Sequence, residues 1–78
     1  MIELLFFAQL QEKVGKKKIR IEADGITIKE IKATFLEEYK MDDLLNQAMV
    51  AVNEEYARED VLVYKGDVVA FIPPVSGG

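Results

Sequence analysis

Cysteine and histidine are both absent from the 78 residues of this chain. Without cysteine there is no disulfide bond, no thiol nucleophile and no cysteine-ligated zinc site, and without histidine there is no Ser-His or Cys-His catalytic pair. Ser76 therefore has no histidine to activate it. The length suits a single domain, and we expect a protein that is not an enzyme on its own.

Positive charge is also scarce, because 10 Lys and Arg face 14 Asp and Glu and the net charge is −4. Such a balance disfavours non-specific binding to nucleic acid and to anionic membranes. The basic run at residues 16–18 lacks interleaved aromatic residues, so it predicts a charged edge strand rather than a nucleic-acid site. The apolar run at residues 4–8 is too short for a transmembrane helix or a signal peptide. We therefore expect a cytoplasmic protein without nucleic-acid or membrane partners.

Carboxylates occur as adjacent pairs, and no metal-binding pattern accompanies them. Neighbouring side chains on a helix or strand diverge, so these pairs indicate solvated surface charge rather than acid–base catalysis. No loop has the ligand spacing of a calcium site, and no glycine-rich loop could hold a phosphate. We expect no bound metal and no intrinsic cofactor. The pairs are Glu37-Glu38, Asp42-Asp43, Glu54-Glu55 and Glu59-Asp60.

Hydrophobic spacing predicts one long helix among several strands. Thr27 and Glu30 match a capping box, and apolar residues at helical spacing follow as far as Tyr39, which is about three turns. Residues 9–15 are typical of a connection that could include one helical turn, and residues 42–47 leave a second short helix open. The order β-β-α-β-β-β predicts an α+β fold with the main helix packed across one face of the sheet. Strands are predicted at residues 2–8, 18–23, 48–52, 61–64 and 68–72.

Two strands lack the alternation that a half-covered antiparallel strand shows. Residues 4–8 and 68–72 are apolar at successive positions, so some of their side chains must point away from the helix. One interpretation is that both strands are central and that loops screen their outer face. The interpretation that we favour is an exposed apolar surface for a protein partner, with Phe7 and Phe71 as candidate contacts.

Both prolines and two of the five glycines lie in the last six residues. We therefore predict a domain at residues 1–72 and a flexible, extended tail at residues 73–78. Pro73-Pro74 favours extended chain that projects from the sheet, and Gly77-Gly78 has no side chains, so it could enter a narrow channel. The carboxylate of Gly78 is ionised and must be activated before it accepts a nucleophile. The alternative is a glycine end without a role.

Both ends of the chain resemble the small-subunit family of molybdopterin synthase. Pro-Pro-Val-Ser-Gly-Gly follows Gly-Asp-Val-Val-Ala-Phe at residues 66–71, and Leu-Phe-Phe-Ala-Gln-Leu stands at residues 5–10. Val-Ala-Val-Asn at residues 50–53 is similar to the family's central strand and asparagine turn. That family has the β-grasp, ubiquitin-like fold. The resemblance thus implies a mixed sheet in which the first and last strands are parallel neighbours.

The resemblance also implies a sulfur carrier, the non-catalytic subunit of a sulfurtransferase. A ubiquitin-activating-type enzyme would use ATP to adenylate Gly78, and a sulfur donor would convert the adenylate to a thiocarboxylate. The tail would then enter the large subunit, whose side chains catalyse sulfur transfer to the pterin precursor of the molybdenum cofactor. Two small and two large subunits would form the complex. Gly77 would keep the approach narrow, and Pro73, Pro74, Val75 and Ser76 would set direction and reach.

Three positions depart from the family pattern. Gln11 stands where arginine is common, Val68 where an acidic residue is common, and Ile72 where an aromatic residue is frequent. These departures concern partner specificity rather than tail chemistry. The alternatives are a related carrier of the thiamine pathway, a ubiquitin-like modifier of the tRNA-thiolation type, and a non-covalent β-grasp adaptor. Pro-Pro-Val-Ser before Gly-Gly favours the molybdopterin branch.

Overall fold

The chain forms seven strands within residues 1–74, which are the residues that the computed structural model describes. They are β1 (Ile2–Phe6), β2 (Lys18–Ile21), β3 (Ile26–Thr27), β4 (Met49–Val52), β5 (Glu55–Tyr56), β6 (Leu62–Val63) and β7 (Val68–Ile72). Five of them form a sheet in the spatial order β2-β1-β7-β4-β5, and β3 pairs with β6 in a separate two-stranded sheet. β1 and β7 are parallel neighbours, as predicted, and the other pairs are antiparallel.

Three helices, α1 (Ala8–Val14), α2 (Ile28–Phe35) and α3 (Asp42–Gln47), supply the other layer within residues 1–74. Their buried side chains join those of one sheet face in a single hydrophobic core. The helical contributors are Leu10, Val14, Ile28, Ile31 and Leu45. The mixed sheet with its main helix on one face is the predicted α+β, β-grasp architecture.

Helix α2 starts where the sequence predicts and ends earlier. The backbone N–H of Glu30 donates to Thr27 Oγ1 at 3.1 Å, and the Glu30 carboxylate accepts from Thr27 in return, so the capping box is present. The helix stops at Phe35, and a separate 3-10 turn, Glu37–Tyr39, follows. The predicted three turns were too many, since the helix has eight residues, its C-cap is the fully buried Leu36, and Tyr39 belongs to the 3-10 turn.

Helix α1 replaces the connection that the sequence predicted at residues 9–15. Leu10 and Val14 are buried one turn apart, so the helix packs on the sheet through a narrow apolar stripe. Gly15 ends it with a φ of 81°, a left-handed conformation that glycine adopts without strain. No side chain caps its first turn, which removes the usual signal for a helix start.

One edge of the main sheet carries a residue of the basic run. Strand β2 is an edge strand and includes Lys18 of the basic run, as predicted. The strand predicted at residues 61–64 is shorter, since only Leu62–Val63 pairs, and its partner is β3 rather than a strand of the main sheet.

The turn between β4 and β5 uses Asn53 and Glu54 at φ values of 50° and 71°. Positive φ at two successive turn residues suits the twist of a two-residue hairpin.

Candidate functional site

The inner face of the central strands is the densest part of the core. Leu4 and Phe6 of β1 and Val69 and Phe71 of β7 are at most 1% exposed. The rings of Phe6 and Phe71 stack with their centroids 5.5 Å apart, because the parallel register places these two residues side by side. This face supports the fold and is closed to a partner.

The outer face of the same strands is apolar and uncovered by any helix within residues 1–74. We call it the outer apolar face. Alternation along each strand places its members on the side opposite the core, and three of them, Phe7, Met49 and Tyr56, are exposed by 46%, 49% and 72%. Its members are Leu5, Phe7, Met49, Tyr56, Ala70 and Ile72. Contiguous exposed apolar surface is typical of sites that bind another protein.

The two aromatic residues that the sequence offered as partner contacts differ in position. Phe7 follows β1 and lies on the outer apolar face, where it helps to line a shallow groove with Leu5 and Ile72. Phe71 is fully buried against Phe6. The prediction for Phe71 was therefore wrong, because its register on β7 turns its ring toward the helices. Sequence alternation alone could not choose between the two faces.

The tail begins at the edge of this face. Strand β7 ends at Ile72, the side chain of Pro73 is buried, and Pro74 is exposed. Pro73 thus still packs on the domain, and the chain reaches solvent at Pro74. The other predicted tail residues, Val75, Ser76, Gly77 and Gly78, lie outside the described residues.

A hydrogen-bonded cluster that the sequence did not predict holds the start of β7. Asn53 Nδ2 donates to Asp67 Oδ1 at 3.0 Å, the backbone N–H of Tyr64 donates to Asp67 Oδ2 at 2.9 Å, and Val68 N–H donates to Asn53 Oδ1 at 3.0 Å. These bonds to the charged form, first that from Tyr64 and then that from Asn53, hold the pKa of Asp67 below its usual value. The cluster fixes the far end of the outer apolar face.

A second unpredicted contact lies on the helix side. Lys32 Nζ, on a side chain only 12% exposed, is 2.7 Å from Glu59 Oε1 and 3.3 Å from the carbonyl oxygen of Leu45. The hydrogen bond from Lys32, together with its charge, lowers the pKa of Glu59. This contact joins α2, α3 and the loop before β6. It spans 27 residues of sequence between Lys32 and Glu59, so no local pattern could have indicated it.

The described part of the chain offers no grouping for metal chemistry. Among residues 1–74, no three Asp or Glu residues come close enough to hold a metal ion. Within the same residues, no helix is long and apolar enough to cross a bilayer. The outer apolar face and the chain that leaves β7 are two features that could act on another molecule.

Comparisons with known proteins match this chain over nearly its whole length. The model of the ThiS family matches residues 4–78. The molybdopterin synthase sulfur carrier subunit of Escherichia coli (strain K12) is 35% identical over 88 residues, with 100% of both chains covered. The crystal structure of SAMP1 from Haloferax volcanii is similar with a TM-score of 0.84 at 25% identity, over 99% of this chain and 98% of that one.

A solved complex is also similar. In the complex of subunits 1 and 2 of molybdopterin-converting factor from Helicobacter pylori 26695, one chain matches with a TM-score of 0.71 at 26% identity, over 99% of this chain and 97% of that one. Family model, full-length relatives and solved structures agree. The chain therefore belongs to the ThiS family, together with the sulfur carrier subunits of molybdopterin synthase.

Proposed function

We propose that this protein is the sulfur carrier subunit of molybdopterin synthase and that Gly78 carries the sulfur. The observation that carries the proposal is the full-length similarity to such subunits, 35% identical for that of Escherichia coli. Two further features support it. Strand β7 leads directly into Pro-Pro-Val-Ser-Gly-Gly, and an apolar face suited to a protein partner lies beside that exit.

The reacting group is the carboxylate of Gly78. A ubiquitin-activating-type enzyme in the cytoplasm joins it to AMP from ATP, and pyrophosphate leaves. Hydrosulfide from a sulfur donor then displaces AMP, so a C–S bond forms, the C–O bond to AMP breaks, and a thiocarboxylate results. On the large subunit the sulfur displaces an oxygen leaving group from a carbon of the pterin precursor. Water then cleaves the acyl–sulfur bond and restores the carboxylate.

The chain itself supplies position rather than catalysis. Pro73 and Pro74 set the direction of the tail, Val75 and Ser76 extend its reach, and Gly77 keeps the approach narrow. The catalytic side chains belong to the large subunit, in a complex of two small and two large subunits. Because each transferred sulfur requires a freshly charged carrier, docking through the outer apolar face has to be reversible.

The test is the mass of the intact protein. After co-expression with an activating enzyme and a sulfur source, the chain should gain one oxygen-for-sulfur exchange, which fragmentation assigns to Gly78. The charged protein and purified large subunit should then convert the pterin precursor. A folded, thiocarboxylated protein that delivers no sulfur would contradict the proposal.

A short C-terminal extension is the matched control. It leaves the domain unchanged and removes the free carboxylate of Gly78, so folding should persist while charging is lost. Circular dichroism and intact mass measure the two effects. If the extended chain transfers sulfur without being trimmed, Gly78 is not the reacting residue.

Protein modification is the second candidate function. It is favoured by the structural likeness to SAMP1, the small archaeal modifier protein 1 of Haloferax volcanii, at a TM-score of 0.84. In this case the activated Gly78 would form isopeptide bonds with lysine side chains of other proteins. Immunoblots of cells that express a tagged chain would show a ladder of conjugates, which the carrier function does not require.

A further inference from the structure

A cationic rim borders the outer apolar face along strand β2. Lys18 pairs with Leu5 and Arg20 pairs with Glu3 in the β1–β2 register, so both basic side chains lie on the same side of the sheet as Leu5. Arg20 is 62% exposed on a protein whose net charge is −4. We call Lys18, Arg20 and the neighbouring Glu3 the cationic rim. A partner that covers the outer apolar face therefore also comes close to these charges.

The carboxylate of Glu3 forms an ion pair with one side of the Arg20 guanidinium. Arg20 Nε lies 3.3 Å from Glu3 Oε1, and Lys18 Nζ lies 3.8 Å from the same oxygen. Within residues 1–74, Glu3 is the only carboxylate at ion-pair distance from Arg20. An ion pair at Nε leaves the two terminal nitrogens available as a planar fork, which matches the two oxygens of a carboxylate.

The rim lies far from the point where the tail leaves the domain. Arg20 is beside Glu3, and Glu3 is beside Val68 at the start of β7, whereas the tail leaves after Ile72. With a rise of about 3.3 Å per residue and about 4.8 Å between strands, the two points are roughly 16 Å apart. A partner that held the tail and the apolar centre alone could still rotate about them. A third contact at the rim would fix the orientation.

We propose that Arg20, oriented by Glu3 and assisted by Lys18, binds a surface carboxylate of the large synthase subunit. The inference rests on the proposed function, and it adds the partner chemistry: an Asp or Glu side chain next to the apolar contact region of the large subunit. The large subunit is the chosen occupant because a similar chain forms a complex with its second subunit in Helicobacter pylori.

The test is the affinity for the purified large subunit, measured by isothermal titration calorimetry at low and high salt. Arg20→Glu should weaken binding by about tenfold or more at low salt, since it places like charges together. Arg20→Lys keeps the charge and loses the fork, so the loss should be smaller, about threefold. The matched control is Lys29→Glu on α2, which makes the same kind of charge reversal on the helix side and should leave affinity unchanged.

The outcomes separate the rim from the carrier function. If folded Arg20→Glu binds as tightly as the wild type while the wild type forms its thiocarboxylate and binds, the rim proposal fails and the carrier function stands. If Lys29→Glu weakens binding equally, net charge explains the effect and the rim proposal fails. If Arg20→Glu impairs charging by the activating enzyme alone, the large subunit is the wrong occupant. If the wild type neither charges nor binds, both proposals fail.

Discussion

The two faces of strand β7 have similar compositions and opposite surroundings. Val69 and Phe71 point toward the helices and are fully buried, whereas Val68, Ala70 and Ile72 point away and are only partly covered. Hydrophobicity alone does not distinguish these two sets. The difference is whether this chain supplies the covering surface, as α1 and α2 do on the inner face, or leaves it to a partner.

This difference separates two free energies. Apolar surface buried on the inner face stabilises the folded chain, because it leaves water when the chain folds. Apolar surface on the outer face contributes when a partner covers it. Substitutions on the inner face should therefore change the free energy of unfolding, and those on the outer face should change the free energy of docking.

Phe71→Ala should have the largest effect. It removes a fully buried ring that stacks on Phe6, and such truncations cost about 3–5 kcal/mol. A small domain has only about 5–15 kcal/mol in total, so much of the stability should be lost. Urea unfolding followed by circular dichroism measures it. Ile72→Ala, the next residue on the outer face, is the control and should cost far less. Equal losses in the two variants would show that both faces stabilise the folded chain alike.

Phe7→Glu should have the opposite profile. Phe7 is 46% exposed on the outer apolar face, so a charge there meets water in the free protein and an apolar surface in the complex. Affinity for the large subunit should fall by about tenfold or more, while the unfolding curve changes little. Phe7→Leu keeps the apolar contact and is the control. A variant that loses its helical circular dichroism would show that Phe7 supports the fold instead.

The sequence predicts five of the seven strands within residues 1–74, the start of the main helix and the existence of an apolar outer face, because these depend on local spacing. The two-residue strands β3 and β5 were not predicted. It does not decide whether Phe7 or Phe71 faces outward. A strand that is apolar at every position has the same pattern in both registers, so the choice depends on how β1, β7 and the helices pack. The prediction for Phe71 was wrong for this reason.

Two kinds of feature escape a local pattern. Helix α1 has no side-chain cap and only seven residues, so its buried Leu10 and Val14 are too few to reveal its period. The contacts Lys32–Glu59 and Asn53–Asp67 join residues far apart in sequence, and only the folded chain brings them together. The tail residues were chosen on composition and resemblance, and Val75 to Gly78 stay predictions.

Thr27→Ala tests how far the inner layer depends on its helix. The substitution removes the acceptor for Glu30 N–H at the start of α2, and the loss of such a cap costs about 1 kcal/mol. The midpoint of urea unfolding should fall accordingly, while affinity for the large subunit should stay the same. Thr27→Ser keeps the hydroxyl and is the control. A loss of docking would show that the helix layer also shapes the outer face.

As the pH falls, the Lys32–Glu59 contact on the helix side should lose its contribution to stability before the Asp67 cluster at the end of the outer apolar face does. The hydrogen bond and charge of Lys32 hold the pKa of Glu59 in the folded state below its ordinary value. A lowered carboxylate pKa adds stability above the unfolded-state value, and this stability is lost as pH falls through the folded-state value. The free energy of unfolding should therefore start to decline below about pH 4.5. Glu59→Gln should remove this first part of the decline; a full decline in that variant would assign it to other carboxylates.

Protonation of Asp67 should lower the free energy of unfolding least, and it should do so at the lowest pH. The pKa of Asp67 in the folded state lies below its ordinary value because Tyr64 N–H and the Asn53 amide donate to the ionised form. Because this pKa is lowered, as it is for Glu59, the Asp67 carboxylate stabilises the folded chain above about pH 3.8. That stabilisation is lost as the pH falls below this value. In Asp67→Asn one of the two donors meets an amide N–H₂ group instead of an oxygen, so the variant should be less stable at neutral pH and lose less on acidification. Equal pH slopes for this variant and the wild type, measured by unfolding in urea, would show that the cluster at the start of β7 holds the outer face without a contribution from the charge of Asp67.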